Sequence, residues 1–234
     1  MLNLIYIISK VKIPNKVIGI SGVAGAGKDL FYTILSRYVK CKRYALADKL
    51  KLEVNPFCKR HYKIDLFNCN REEKESIRDL LVFHGTHKRK LTDGKYFTRE
   101  LNKLIKKDIK NKELNEDTLV VVTDIRYDQY KQDEIYWLKK LMNGTLCHVS
   151  QYEMKLLEGK SRKTKVFRPP VNSEEEREDP KLRAAADAVI EWPTIEGNMI
   201  EVEKKLEGWV HQFIFEEGLA DYIIDKENYL RDEE

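Results

Sequence analysis

The sequence predicts a parallel α/β fold, and three observations carry that reading. Short β-branched runs alternate with helix-patterned stretches along the 234 residues. The run Leu119-Val120-Val121-Val122 is continuously apolar, as a strand covered on both faces must be. Near the start, an apolar run (17–20) passes through a glycine-rich turn into a helical pattern (30–35).

In chain order, strands are expected at 17–21, 43–46, 119–123, 145–149 and 188–192. A helix over 28–39 follows the glycine turn. Others are expected at 72–84 and at 96–110, where Phe97, Leu101, Leu104 and Ile105 share a face. A helix over 132–142 stops at Asn143-Gly144, a C-terminal signal. The last spans 199–215, with Val202, Leu206, Trp209 or Val210, and Phe213 as its core stripe. The segment 151–181 is highly charged, holds Arg168-Pro169-Pro170, and reads either as a disordered insertion or as a lid. No repeats or linkers divide the chain, so 1–234 reads as one domain.

Bulk properties narrow the classes. Hydrophobic content is 42% and charged content 35%, which fits a soluble globular chain. The net charge of +4 argues against a dedicated nucleic-acid binder. Ten Lys/Arg against three acids fill 88–112, whereas 216–234 is an acidic tail with eight acids against two bases. A solvated face or a phosphate-rich substrate explains the basic stretch. No stretch reaches the ~18 apolar residues of a membrane span. Residues 1–12 read as an extra strand or arm, not a signal peptide. The four cysteines form no C-x-x-C pair; Cys58, His61 and Cys69 lack an evident fourth zinc ligand, so free thiols in a cytoplasm are expected.

The turn reads Ser21-Gly22-Val23-Ala24-Gly25-Ala26-Gly27-Lys28-Asp29, the G-x-x-x-x-G-K spacing of a phosphate-binding loop. Gly22, Gly25 and Gly27 permit backbone angles and close approach that a Cβ blocks. The amides through Ala26, Gly27, Lys28, Asp29 and Leu30 then face an anion at a helix N-terminus. Lys28 is expected to reach the β- and γ-phosphates of ATP. Asp29 stands where Ser or Thr is usual, and a carboxylate can hold Mg²⁺ directly or through water.

Four further constellations accompany the loop. Asp124 and Arg126 follow the apolar strand, at the sheet edge where α/β ligands bind. There an acid can serve Mg²⁺ and an arginine can clamp a phosphate. Asp48, Lys49 and Lys51 follow the second strand. Arg89 and Arg99 lie in the basic stretch as candidate acceptor clamps, whereas His84 and His87 are read as structural or solvent-facing. Arg162, within Lys160-Ser161-Arg162-Lys163, and Arg168 are candidate lid cations.

These motifs occur together and in order: G-x-x-x-x-G-K-D, Leu46 to Lys51, His84-Gly85-Thr86, Asp124 with Arg126, and the late stretches 172–176 and 186–190. The set resembles the deoxynucleoside monophosphate kinases of tailed phages and large DNA viruses, over about residues 16–215. The resemblance implies a three-layer P-loop kinase fold with a five-stranded parallel sheet, a helical substrate-binding insert (about 48–112) and a lid (about 151–181). It implies ATP and Mg²⁺ as cofactors and a dNMP as acceptor, in the cytoplasm (the host's, if viral), and it allows a homodimer. By this resemblance Lys28, Asp124 and Arg126 are the catalytic set, Asp29 and Asp124 serve the metal, and Lys49 and Lys51 fall near the substrate edge. The chain is also similar to animal-type phosphomevalonate kinase, and a P-loop ATPase or nucleotide sensor is a third reading.

Overall fold

The computed structural model describes residues 15–156 and 162–224. The N-terminal arm, Lys160, Ser161 and the last part of the acidic tail lie outside the described residues. Five strands run parallel in the spatial order β2 (Cys41–Tyr44), β3 (Leu119–Val122), β1 (Val17–Ser21), β4 (Thr145–Lys155), β6 (Ala188–Pro193). The expectation of a five-stranded parallel sheet needs one correction. A sixth strand, β5 (Thr164–Phe167), pairs antiparallel with the far end of β4, with Tyr152 opposite Phe167. β4 is therefore eleven residues long.

The central strand β1 is buried along its whole length, which explains its apolar run. One face is covered by α1 (Lys28–Tyr38) and α8 (Met199–Glu216), through Phe31, Leu35, Leu206, Val210 and Phe213 against Ile18, Ile20 and Val149. The other is covered by α5 (Tyr96–Lys110), a short helix α6 (Glu134–Tyr136) running into a π-helical turn (Trp137–Leu141), and α7 (Ser173–Ala185). Phe97, Leu101, Ile105, Trp137, Leu138 and Leu182 fill that side. The sheet thus has helices on both faces, a three-layer α/β arrangement.

Several boundaries differ from expectation. The second strand ends at Tyr44, and Leu46 opens a seventeen-residue helix, α2 (Leu46–Tyr62). The helix expected over 72–84 is two: α3 (Arg71–Ser76), with an Asn70–Glu73 capping box, and α4 (Arg78–Leu91), with Ile77 between them. Val54, Cys58, Ile64, Leu66 and Ile77 give this region a small core of its own. The described part of 151–181 is ordered as the end of β4, β5 and α7. Among the described residues, no helix is long and apolar enough to cross a membrane.

Candidate functional site: a glycine loop opening onto a cationic cleft

The chain leaves β1 toward β2 at one edge and leaves β4 toward β6 at the other. The crevice between the carboxyl ends of β1 and β4 is where an α/β sheet accepts ligands. The glycine loop sits there. Gly22 has φ 134°, and a Cβ on it would collide with the Val149 carbonyl in the middle of β4. Gly27, φ 94°, is the N-cap of α1 and supplies no side-chain hydrogen bond. The first-turn N–H groups of Lys28, Asp29 and Leu30 are thus left without a capping side chain, which suits an anion. Beneath the loop, the Trp192 indole N–H donates to the Ala26 carbonyl at 2.9 Å.

Lys28 folds back over its own loop. Its Nζ donates to the carbonyls of Gly22 (2.7 Å) and Val23 (2.8 Å). Burial, and then the positive charge of Arg126, pull its pKa down to about 8. Glu175, Asp29 and Asp124 act in the opposite sense without offsetting that pull. Asp29, in contrast, is 86% exposed and lies 3.7 Å from Arg43.

In front of the loop is a cleft of about 220 Å³. Ala24 of the loop forms part of its wall, and Lys51, Lys74, Arg78, Arg89 and Arg126 bring five cations to it. Leu46, Leu50, Leu81, Val82 and Phe97 form an apolar wall, with Gly85 and Thr86 beside them. Lys74, exposed at the rim, is shifted down by partial desolvation and then by the charges of Lys51 and Arg126. The cations therefore repel one another across a space that an anion would relieve.

Arg89 is held most firmly. It is 3% exposed, pairs with the fully buried Asp133, and lies 3.5 Å from the centre of the Tyr127 ring. Its Nε is buried with no hydrogen-bond partner, an unmet donor beside the cleft. The Arg126 amide donates to Glu134 at 2.6 Å, while its guanidinium side chain is exposed. Burial, then the neighbouring Asp133, push the Glu134 carboxyl up.

Asp124 lines the same cleft, and its carboxylate has a structural task there. Oδ1 accepts the Leu46 N–H at 2.7 Å and Oδ2 the Ala47 N–H at 2.8 Å, so it caps α2 from a strand end. Among the described residues, no group of three or more His, Cys, Asp or Glu is gathered as a metal cage. For Mg²⁺ the donors that fit are Asp29 and the remaining lone pairs of Asp124. A sparse carboxylate set suits an ion that keeps its waters and leans on phosphate.

The structure thus brings Lys51, Arg89, Asp124 and Arg126 to one cleft, beside the loop of Gly22, Gly25, Gly27 and Lys28, which reaches it through Ala24. Four expected substrate residues lie elsewhere. Asp48 pairs with Lys51 and Arg43, and Lys49 with Glu53 and Glu100, so neither lines the cleft. Arg99 lies on a separate basic groove with Lys103 and Lys106. Arg162 is exposed and outside the cleft lining. Arg168 changes sides: its Nε donates to Gln151 at 2.9 Å, and its guanidinium covers Gly25, placing it over the loop. His84 bonds Glu53 at 2.8 Å, in keeping with a structural role. Sequence reasoning missed Lys74, Arg78 and Glu175. Only the charge density of 71–78 and the 172–176 stretch signalled them.

A comparison with protein-family profiles finds no match, and neither does one with curated proteins. Among solved structures, the chain is similar to a dephospho-CoA kinase from Campylobacter jejuni. The identity is 15%, the TM-score 0.37, and the match covers 81% of this chain and 94% of the other.

Proposed function

We propose that this chain transfers a phosphoryl group from ATP to a phosphate-bearing acceptor, a (deoxy)nucleoside monophosphate, giving the diphosphate. One observation carries the reading: the Lys28 loop and the cations Arg89 and Arg126 open onto one cleft. Phosphoryl transfer needs little covalent help from protein; it needs two phosphates held in line and their charge neutralised. The loop amides and Lys28 would hold the donor, with Arg168 above Gly25. Arg126, Arg89 and Lys74 would hold the acceptor phosphate, and the Leu50–Leu81–Val82–Phe97 wall its apolar body. Mg²⁺, served by Asp29 and Asp124, would neutralise charge on the donor phosphates. The free thiols and the ATP donor fit a cytoplasmic setting.

The largely aliphatic wall of Leu46, Leu50, Leu81 and Val82 favours a second reading, a phosphomevalonate-type acceptor. A coupled assay with ATP–Mg²⁺ and a panel of dNMPs, NMPs and mevalonate 5-phosphate tests both. Turnover that requires a nucleoside monophosphate is the expected result. Turnover only with mevalonate 5-phosphate selects the second reading, and ATP hydrolysis indifferent to every monophosphate overturns both.

A further inference from the structure

The phosphate loop already carries an anion of the protein's own. Oε2 of Glu175 accepts the N–H of Ala24, a loop amide, at 3.2 Å, and the N–H of Val171 at 3.2 Å. The carboxylate is fixed from behind. Asn172 caps α7 by accepting the Glu175 N–H at 2.8 Å. The same helix is tied to the loop that carries Arg126: the Tyr127 hydroxyl donates to Glu174 at 3.0 Å and the Asp128 N–H to Glu178 at 3.2 Å.

Three carboxylates line the cleft, and only Glu175 reaches the glycine loop. Asp124 accepts the first N–H groups of α2, and Glu134 accepts the backbone N–H groups of Arg126 and Tyr127. Glu175 also lies close enough to Lys28 and Arg78 to attract both electrostatically. Hydrogen bond and charge alike are those a phosphate oxygen would make there.

We propose that Glu175 is an internal stand-in for phosphate, which closes the loop of the resting protein and is displaced when a nucleotide binds. The proposal rests on the reading of 22–28 as a nucleotide-phosphate site. A carboxylate and a phosphate oxygen cannot share the Ala24 amide, and their charges repel. The apparent nucleotide affinity is therefore lowered by the fraction of molecules in which Glu175 is seated. On release, the first turn of α7 loses its contacts to Ala24 and Val171.

The test uses the full chain and ADP–Mg²⁺, with binding measured by calorimetry for wild type, Glu175→Gln and Glu176→Gln. Glu176 is the exposed neighbour, and its variant makes the same change in net charge. Glu175→Gln is expected to lower the Kd about tenfold, the weight of one charge-assisted hydrogen bond, and Glu176→Gln to leave it within about twofold. Equal or weaker binding by Glu175→Gln overturns the proposal, as does equal tightening by Glu176→Gln. Absence of ADP binding by both wild type and Glu175→Gln overturns the loop reading itself. Hydrogen exchange of the wild type gives a second readout that needs no variant. Amides at 171–176 should exchange faster on ADP binding while those at 22–28 slow, and unchanged or slower exchange at 171–176 refutes displacement.

Discussion

The indole of Trp192 lies flat enough against Gly27 that a Cβ on the glycine would fall 2.6 Å from Cζ2. Trp192 is fully buried and bonded to the Ala26 carbonyl, so it cannot swing away. The shape of the glycine loop is therefore set from below, by a residue on β6. Gly27→Ala meets this wall and an unfavourable positive φ together. It should cost about 2 kcal/mol, roughly 4–8 °C in melting temperature, and weaken ADP binding. Thermal melts and Trp emission check it; unchanged stability and affinity would contradict the contact.

Lys28→Met should move activity and stability in opposite directions. Loss of the ammonium should lower phosphoryl transfer on the order of 10²-fold or more. The folded-state pKa of about 8 lies below the reference 10.5. Between those pH values the unfolded chain holds the extra proton, so stability rises with pH across the window. Below it, the buried cation costs stability in full. Lys28→Met should raise the melting temperature at pH 7 and flatten the rise between pH 8 and 10.5, as melts at several pH values would show.

Asp124→Asn leaves one acceptor oxygen for two amides, those of Leu46 and Ala47. A loss of about 1–3 kcal/mol is expected, together with a weaker acceptor interaction, because α2 carries Leu50 and Lys51 into the cleft. Denaturant unfolding measures the first and the acceptor KM the second. A changed Mg²⁺ requirement with unaltered stability would put the carboxylate's main work on the metal instead.

Arg126→Lys keeps the charge and loses the two-pronged geometry. The acceptor KM should rise while ATP affinity stays within about twofold. The reverse split would move Arg126 to the donor side.

His148 is 1% exposed beneath the loop, where its Nδ1 shares a hydrogen bond with Ser21 Oγ at 3.0 Å. Burial, then the charges of Arg183 and Lys28, hold its pKa near 4, against 6.5 for a free imidazole. The unfolded chain therefore binds the extra proton between pH 6.5 and 4, and stability drains away as pH falls through that range. His148→Gln should melt with a shallower acid limb between pH 6.5 and 4.5. A parallel curve would show that other groups govern it.

The glycine loop, the apolar strands β1 and β3, and helix α5 were legible because each is specified by its own residues. The start of α2 was not, because its cap comes from Asp124, seventy-eight positions along the chain. Helix α7 hid for a different reason. Its buried residues are Glu178 and Leu182, and it contains Pro180, so it shows no apolar period. Asn172 at its N-cap and Lys181 paired with Glu178 help hold it. The site divides the same way. Lys28 and Gly22 announce themselves by spacing, whereas Lys74 and Arg78 matter only because α3 and α4 fold over the cleft.

The small core of Val54, Cys58, Ile64, Leu66 and Ile77 meets the main one through Leu50, which packs against both. Few apolar residues hold it, so this is the region expected to open locally before the sheet does. Leu81 of the cleft lining therefore goes with this small core, Leu50 bridges the two, and Phe97 stays with the main one. The glycine loop, in contrast, is backed by the buried β1 and Trp192. Substitutions that loosen the small core are therefore expected to reshape one side of the cleft while β1 and the glycine loop keep their packing.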